Sequence, residues 1–217
     1  MLSDKDRSAI EERLRPMRES VIVEFFESTL GCDTCAEVKQ LLQEVCELNN
    51  LLQLNVHNIY TDEDRAKALN IDKAPVLHIT DDSLRDTGIR FYGAPSGYEF
   101  ATLLEDILMV SSRDSGLQEA TKQTLQTLTE PVELTVFVTP TCPYCPAAVH
   151  LAHKLAYESP AIVGSMVECT EFPDWASQFD VYGVPKTVMN QSKSIFVEGA
   201  VPESALLKRI MEIPTAS

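Results

Sequence analysis

The sequence contains no stretch approaching the roughly 18 to 20 consecutive apolar residues that a helix needs to cross a bilayer. It also lacks a basic leader followed by an apolar run. The opening MLSDKDRSAIEERLRP reads as an amphipathic helix, and a cytoplasmic protein is expected. Positive charge is scarce: 18 Lys and Arg stand against 33 Asp and Glu, a formal net charge of -15. A phosphate backbone or an anionic membrane demands clustered Lys and Arg, so neither nucleic acid nor a membrane is expected as a partner. Cysteine is sparse as well, with six in 217 residues, and a chain of this length buries a core without disulfide or metal staples.

Few as they are, four of the six stand in close pairs. Cys142 and Cys145 lie in TPTCPYCPAAVHLAHKLA, and Cys32 and Cys35 lie in STLGCDTCAEVKQLLQEVCEL. In each case an apolar β-run gives way to a helical period. A shift of 110 residues (142 − 32) superposes the motifs, and the same shift carries Pro75 in KAPVLHIT onto Pro185 in GVPKTVMN. Gly93 and Gly199, near the ends of the following hairpins, are 106 apart, so the second hairpin is shorter by about four residues. A duplicated unit of roughly 100 residues explains this regularity. The expected units are residues 1–112 and 113–217, joined at SSRDSG (111–116), a joint too short for a free tether and therefore one that packs its units together.

Within each unit the hydrophobic period changes in the same order. VIVEFF (21–26) and ELTVFV (133–138) suit strands buried on both faces. Val38, Leu41, Leu42, Val45 and Cys46 then follow helical spacing, as do Ala148, Leu151, Ala152 and Leu155. A strand, a short helix (TDEDRAKALN; FPDWASQF), a proline-led strand, its hairpin partner and a last helix complete each unit. SGYE at 96–99 reads as a capping box, with Glu99 reaching back to Ser96. The expected class is α/β, two tandem units, each with a central mixed sheet flanked by helices.

Two cysteines separated by two residues close a ring too small to remove much unfolded-state entropy, so the bond is a poor staple. At a helix N-terminus, however, free N–H groups and the helix dipole stabilise a thiolate. Lowering a thiol pKa from about 8.5 to about 6.5 raises its ionised fraction at pH 7 from roughly 3% to roughly 75%. The lost intrinsic nucleophilicity offsets most of that gain in attack, and the larger benefit is a better leaving group. Cys142 and Cys32, first in each motif, are therefore the expected attackers; Cys145 and Cys35 are expected to resolve. Pro75 and Pro185 each open a buried strand, where proline is unusual. A cis bond there would expose the backbone of Ala74 or Val184 for pairing with an extended peptide.

TPTCPYCPAAV, FPDWASQF with VPK, and GYEFATLLEDI resemble the glutaredoxin-like protein disulfide oxidoreductases of thermophiles, which carry two thioredoxin-fold units with Cys-x-x-Cys in both. The resemblance spans nearly the whole chain. It implies redox-active Cys142 and Cys145, a second pair at Cys32 and Cys35, cis prolines at 75 and 185, and thiol-disulfide exchange on protein substrates without a bound cofactor. It further implies electrons from a thioredoxin reductase and a peroxiredoxin as acceptor. VEGAVP lacks the Gly-Gly and following Asp of glutathione-binding members, so no dedicated glutathione site is expected. Pro143 and Tyr144 put no charge between the sulfurs of CPYC. Asp33 in CDTC opposes a second negative charge, so Cys32 is expected to be the less acidic attacker.

Other readings stand beside these. Two Cys-x-x-Cys pairs can supply four thiolates to zinc, and a redox-silent polypeptide-binding pair of thioredoxin-like units would carry the same sequence landmarks. Zinc pairs usually sit on short knuckles rather than strand-to-helix turns, so no metal site is assigned. Glu24, inside VIVEFF, is either a strand-end glutamate or a buried acid that relays the resolving cysteine's proton; the second half is apolar there. His150 and His153 read as surface or helix-face residues without a carboxylate partner, and Cys46 and Cys169 as small core residues.

Overall fold

A computed structural model describes residues 2–213. The first half runs α1 (Asp4–Leu14), β1 (Val21–Glu27), α2 (Cys35–Cys46), β2 (Leu52–Asn58), α3 (Glu63–Ala68), β3 (Val76–Asp81), β4 (Ile89–Tyr92) and α4 (Glu99–Ser112). The second half repeats that order as α5 (Glu119–Leu125), β5 (Val132–Val138), α6 (Cys145–Glu158), β6 (Ile162–Glu168), α7 (Pro173–Gln178), β7 (Lys186–Met189), β8 (Phe196–Glu198) and α8 (Glu203–Met211). The apolar runs become the central strands β1 and β5, each with a parallel neighbour on one side and an antiparallel one on the other. Val38, Leu42 and Val45 turn the apolar stripe of α2 onto the sheet.

The eight strands form one continuous sheet in the order β2-β1-β3-β4-β6-β5-β7-β8. Each half contributes a mixed four-stranded layer, and β4 joins β6 in parallel, Ile89 opposite Gly164 through Tyr92 opposite Val167. Fusion removes two sheet edges that would otherwise present unpaired N–H and C=O groups. Gly88 makes the seam possible: its φ is +74°, and a Cβ there would lie 2.4 Å from the Ile162 carbonyl oxygen. One core, containing Val23, Phe25, Leu103, Val136 and Val149, runs through both halves on the face of the long helices. A smaller core under α3 and α7 holds Phe26, Tyr92, Phe137 and Phe179 on the opposite face.

The capping box expected at SGYE does not form. The N-cap of α4 is Tyr98 and no side chain caps it; Glu99 is buried at the first helical position. The reason lies across the seam, where the Tyr98 N–H donates to the Pro140 carbonyl oxygen at 3.1 Å. Gly97 passes so close that a Cβ would meet that oxygen at 2.1 Å. α4 is clasped between α1 and α6, which is why it buries more of its circumference than its apolar stripe predicts.

Candidate functional site

At the second motif, β5 ends at Val138 and a turn closed by Cys142 N–H to the Thr139 carbonyl (3.1 Å) delivers the first sulfur just ahead of α6. Cys145 is the first residue of that helix. The two cysteines form a disulfide with Cα atoms 5.5 Å apart. Cys142 keeps 8% exposure and Cys145 none, so the first residue of the pair is the less buried one. Val184 and Pro185 come up beside it: the Val184–Pro185 bond is cis, and Cys142 Sγ lies 3.8 Å from the Val184 carbonyl oxygen. Tyr144 between the sulfurs, Tyr182 before the proline and Tyr98 from the first half are all exposed.

The first motif repeats the arrangement. Cys32 and Cys35 form a disulfide with Cα atoms 5.4 Å apart, Cys35 heads α2, and Ala74–Pro75 is cis. What differs is the surroundings. The Thr34 hydroxyl, between the sulfurs, donates to Glu171 of the second half. The other oxygen of Glu171 accepts the Ala94 N–H at 2.5 Å. A carboxylate from one half is thereby lodged against the redox motif of the other, and Asp33 adds a second.

Glu24 lies within β1 and is 1% exposed. Its neighbours on β1, Val23 and Phe25, point into the core that holds Cys35, whereas Glu24 faces the side of α3. There it accepts Nε and Nη2 of Arg65 at 2.8 and 2.5 Å and faces His78 Nδ1 at 2.8 Å and His57 Nε2 at 3.2 Å. Burial would raise its pKa, but the hydrogen bonds from His78 and Arg65 prevail and hold it at about 2. Burial also pushes His78 down to about 4. Glu24 is thus paired with Arg65 in a buried ion pair.

Two acids on α4, Glu99 and Asp106, take places that the sequence pattern does not indicate. His150 and His153 do have a carboxylate partner: Asp106 Oδ1 lies 2.7 Å from His150 Nδ1, and Oδ2 lies 2.5 Å from His153 Nδ1. His153 is fully buried rather than on the surface, with Nε2 3.2 Å from the Arg90 carbonyl oxygen. Asp106, three residues after Leu103 on the apolar stripe, was the available signal. Tyr98 meets Pro140 and Asp106 meets His150 and His153, so α4 and α6 run side by side in the same direction.

Glu99 opens the same helix as Asp106. It is 1% exposed, Oε2 accepts the Thr102 hydroxyl at 2.8 Å, and Oε1 has no hydrogen-bond partner among the described residues. Burial, with the charge of Asp106 adding to it, outweighs the Thr102 bond and raises its carboxyl from 4.5 to about 7. A carboxyl raised on folding favours the folded state fully below its unfolded pKa, and that advantage is lost as pH rises toward 7. Glu99→Gln should thus come within about 1 kcal/mol of the parent at pH 5 and gain roughly a further 2 kcal/mol over it at pH 8. Thermal unfolding at the two pH values measures this, and an equal difference at both would refute the assignment.

The remaining cysteines are not poised for exchange. Burial pushes the Cys46 thiol up to about 12 and that of Cys169 to about 11. No group of three or more His, Cys, Asp or Glu among the described residues is placed to hold a metal ion.

A thioredoxin-domain family model matches residues 132–212. A protein disulfide oxidoreductase from Aeropyrum pernix is 33% identical, with the match covering 96% of this chain and 91% of that one at a TM-score of 0.89. The N-terminal N/C domain of alkyl hydroperoxide reductase AhpF from Enterococcus faecalis has the same fold, with a TM-score of 0.87 at 21% identity and coverage of 96% and 99%. Among curated proteins, the AhpF component of the Staphylococcus aureus alkyl hydroperoxide reductase is 24% identical over 195 residues, 90% of this chain. The chain spans about a third (35%) of the length of that relative.

Proposed function

The chain belongs to the protein disulfide oxidoreductases of the thioredoxin fold, and from that premise we propose that it exchanges disulfides with protein clients, chiefly at Cys142 and Cys145 and secondarily at Cys32 and Cys35. The observation that carries this reading is the placing of both motifs: each pair closes a disulfide at a strand-to-helix turn, with the first sulfur of the second pair 3.8 Å from the carbonyl oxygen of the residue before a cis proline. We assign residues 1–112 and 113–217 as the two exchanging units.

In the reducing direction the Cys142 thiolate attacks one sulfur of a client disulfide, and the client's other sulfur leaves as a thiolate. Cys145 then loses its proton to solvent and attacks the Cys142 sulfur, which releases the client's second thiolate. The protein pair ends as a disulfide, and the client holds both electrons. Carbonyl and N–H groups at Val184 and Ala74 receive the extended client beside each motif. Pro143 and Tyr144 keep the second motif free of charge between its sulfurs.

Similarity to the AhpF component of alkyl hydroperoxide reductase supports a place in peroxide-reducing electron transfer, with a thioredoxin-reductase-type flavoenzyme as donor and a peroxiredoxin as acceptor. The proposed setting is the cytoplasm, where close cysteine pairs are more often catalytic than structural. No helix among the described residues is long and apolar enough to cross a membrane.

Free-thiol titration tests the core of the proposal. A mild dithiol should liberate four thiols from the two pairs, and a protein disulfide added afterwards should consume them again. A protein whose thiol count does not cycle is not an exchanger.

A further inference from the structure

We propose that the cleft beside Cys32 and Cys35 selects polypeptide clients that carry an arginine or lysine next to their disulfide. This names the client class of one site and rests on the exchange reading above. The cleft, about 320 Å³, is built by both halves: Leu30 and Gly31 lead into the motif, Tyr60 and Ala74 come from the first half, and Phe172 and Trp175 close it from the second. A single thioredoxin unit has no counterpart of that far wall.

Acidic residues outnumber basic ones along the cleft. Asp72, Glu171 and Asp174 line it, and Asp33 stands exposed beside Cys32. Asp33 and Asp174 have no ion-pair partner among the described residues. The one basic lining residue, Lys73, is already engaged: its ammonium is 3.0 and 3.1 Å from the Asp72 carboxylate oxygens and 4.9 Å from the centroid of Trp175. That contact sets a cation between a carboxylate and an aromatic face. Tyr60 and Phe172 offer further faces, and a planar guanidinium stacks on such rings while pairing with carboxylates. The site around Cys142 is different in kind, rimmed by Tyr98, Tyr144 and Tyr182 with no acid in its motif.

Exchange at this cleft balances in the same way as at the second motif. The reduced Cys32 thiolate attacks a client sulfur, the partner sulfur leaves, Cys35 resolves, and two electrons pass to the client as the pair becomes a disulfide.

The test uses the full chain with Cys142→Ala and Cys145→Ala, reduced beforehand and freed of reductant. It is mixed with two disulfide peptides identical except that one has arginine and the other glutamate beside each cysteine. The arginine peptide should be reduced about tenfold faster at low ionic strength, the gain from two or three partly exposed charge contacts. About 0.5 M salt should remove most of that preference. Asp174→Asn should slow only the arginine peptide, by about threefold. The complementary chain with Cys32→Ala and Cys35→Ala should show no such preference. Equal rates for the two peptides, or a preference that persists in salt, would overturn the inference while leaving exchange intact. Failure to reduce either peptide, or any small aromatic disulfide, would instead overturn the exchange reading at this pair.

Discussion

Serine at position 142 should remove most of the disulfide-exchange turnover of the protein, with flux through the second motif falling by about 10³-fold or more. A hydroxyl oxygen is not ionised near neutrality and forms no mixed disulfide, so the step that opens the client bond has no substitute at that position. What survives is the contribution of Cys32 and Cys35. Cys32→Ser should therefore cost less than Cys142→Ser, and the double variant should fall to background. The ranking follows from charge. CPYC carries none between its sulfurs, whereas Cys32 has Asp33 beside it and Glu171 bonded to Thr34 one residue further on, and each opposes a second negative charge. Cys145→Ser should stop the reaction one step later, at a mixed disulfide between Cys142 and the client that survives denaturing electrophoresis without reductant. Turnover on a protein disulfide with a small dithiol as donor measures all four variants. Equal losses from Cys142→Ser and Cys32→Ser would reverse the assignment of the main site.

Removing the Asp106 carboxylate should destabilise the fold by about 3 kcal/mol, because the two imidazoles it binds lose their partner and one of them is completely buried. For a chain of this size that corresponds to a fall in melting temperature of about 10 °C for Asp106→Ala. Asp106→Asn keeps the volume and one acceptor and should recover roughly half of the loss. The pH dependence has a definite sign. Burial alone would raise the Asp106 carboxyl, but the charge of His153 and hydrogen bonds from His150 and His153 prevail and hold it below its ordinary 3.8. A depressed acid contributes stability above its unfolded pKa and loses it as pH falls through the lower folded value. The gap between parent and Asp106→Ala should thus be full at pH 7 and narrow below about pH 4. A loss under about 1 kcal/mol, or a gap independent of pH, would show that this network does not hold the halves together.

Much of the architecture was legible in the residues alone. Hydrophobic period assigned VIVEFF and ELTVFV to central strands and the residues after Cys35 and Cys145 to helices, because those signals are local and repeat every two or 3.6 residues. The constant shift of 110 residues paired the cysteines with the prolines, and the positions it singled out are those where the cis bonds stand. Polar residues on apolar stripes carried weaker signals. Glu99 and Asp106 are both on the helix face of Leu103, and Ser-x-x-Glu reads as a cap because it is a local pattern that ignores what lies across the seam. Glu24, read from its strand as a relay or a terminal residue, depended on Arg65 and His78 for its state.

By itself, then, the sequence determined the order of elements, the two redox motifs and the first-sulfur, second-sulfur asymmetry, since all three depend on neighbours within a turn or two. Only the tertiary structure decided that the halves share one sheet through β4 and β6. It also decided that Asp106 meets His150 and His153 and that Glu171 reaches Thr34 across 137 residues of chain. The physical reason is that periodicity tells which face of an element is buried, whereas the partner of a buried charge is chosen in space, by whichever element packs against that face.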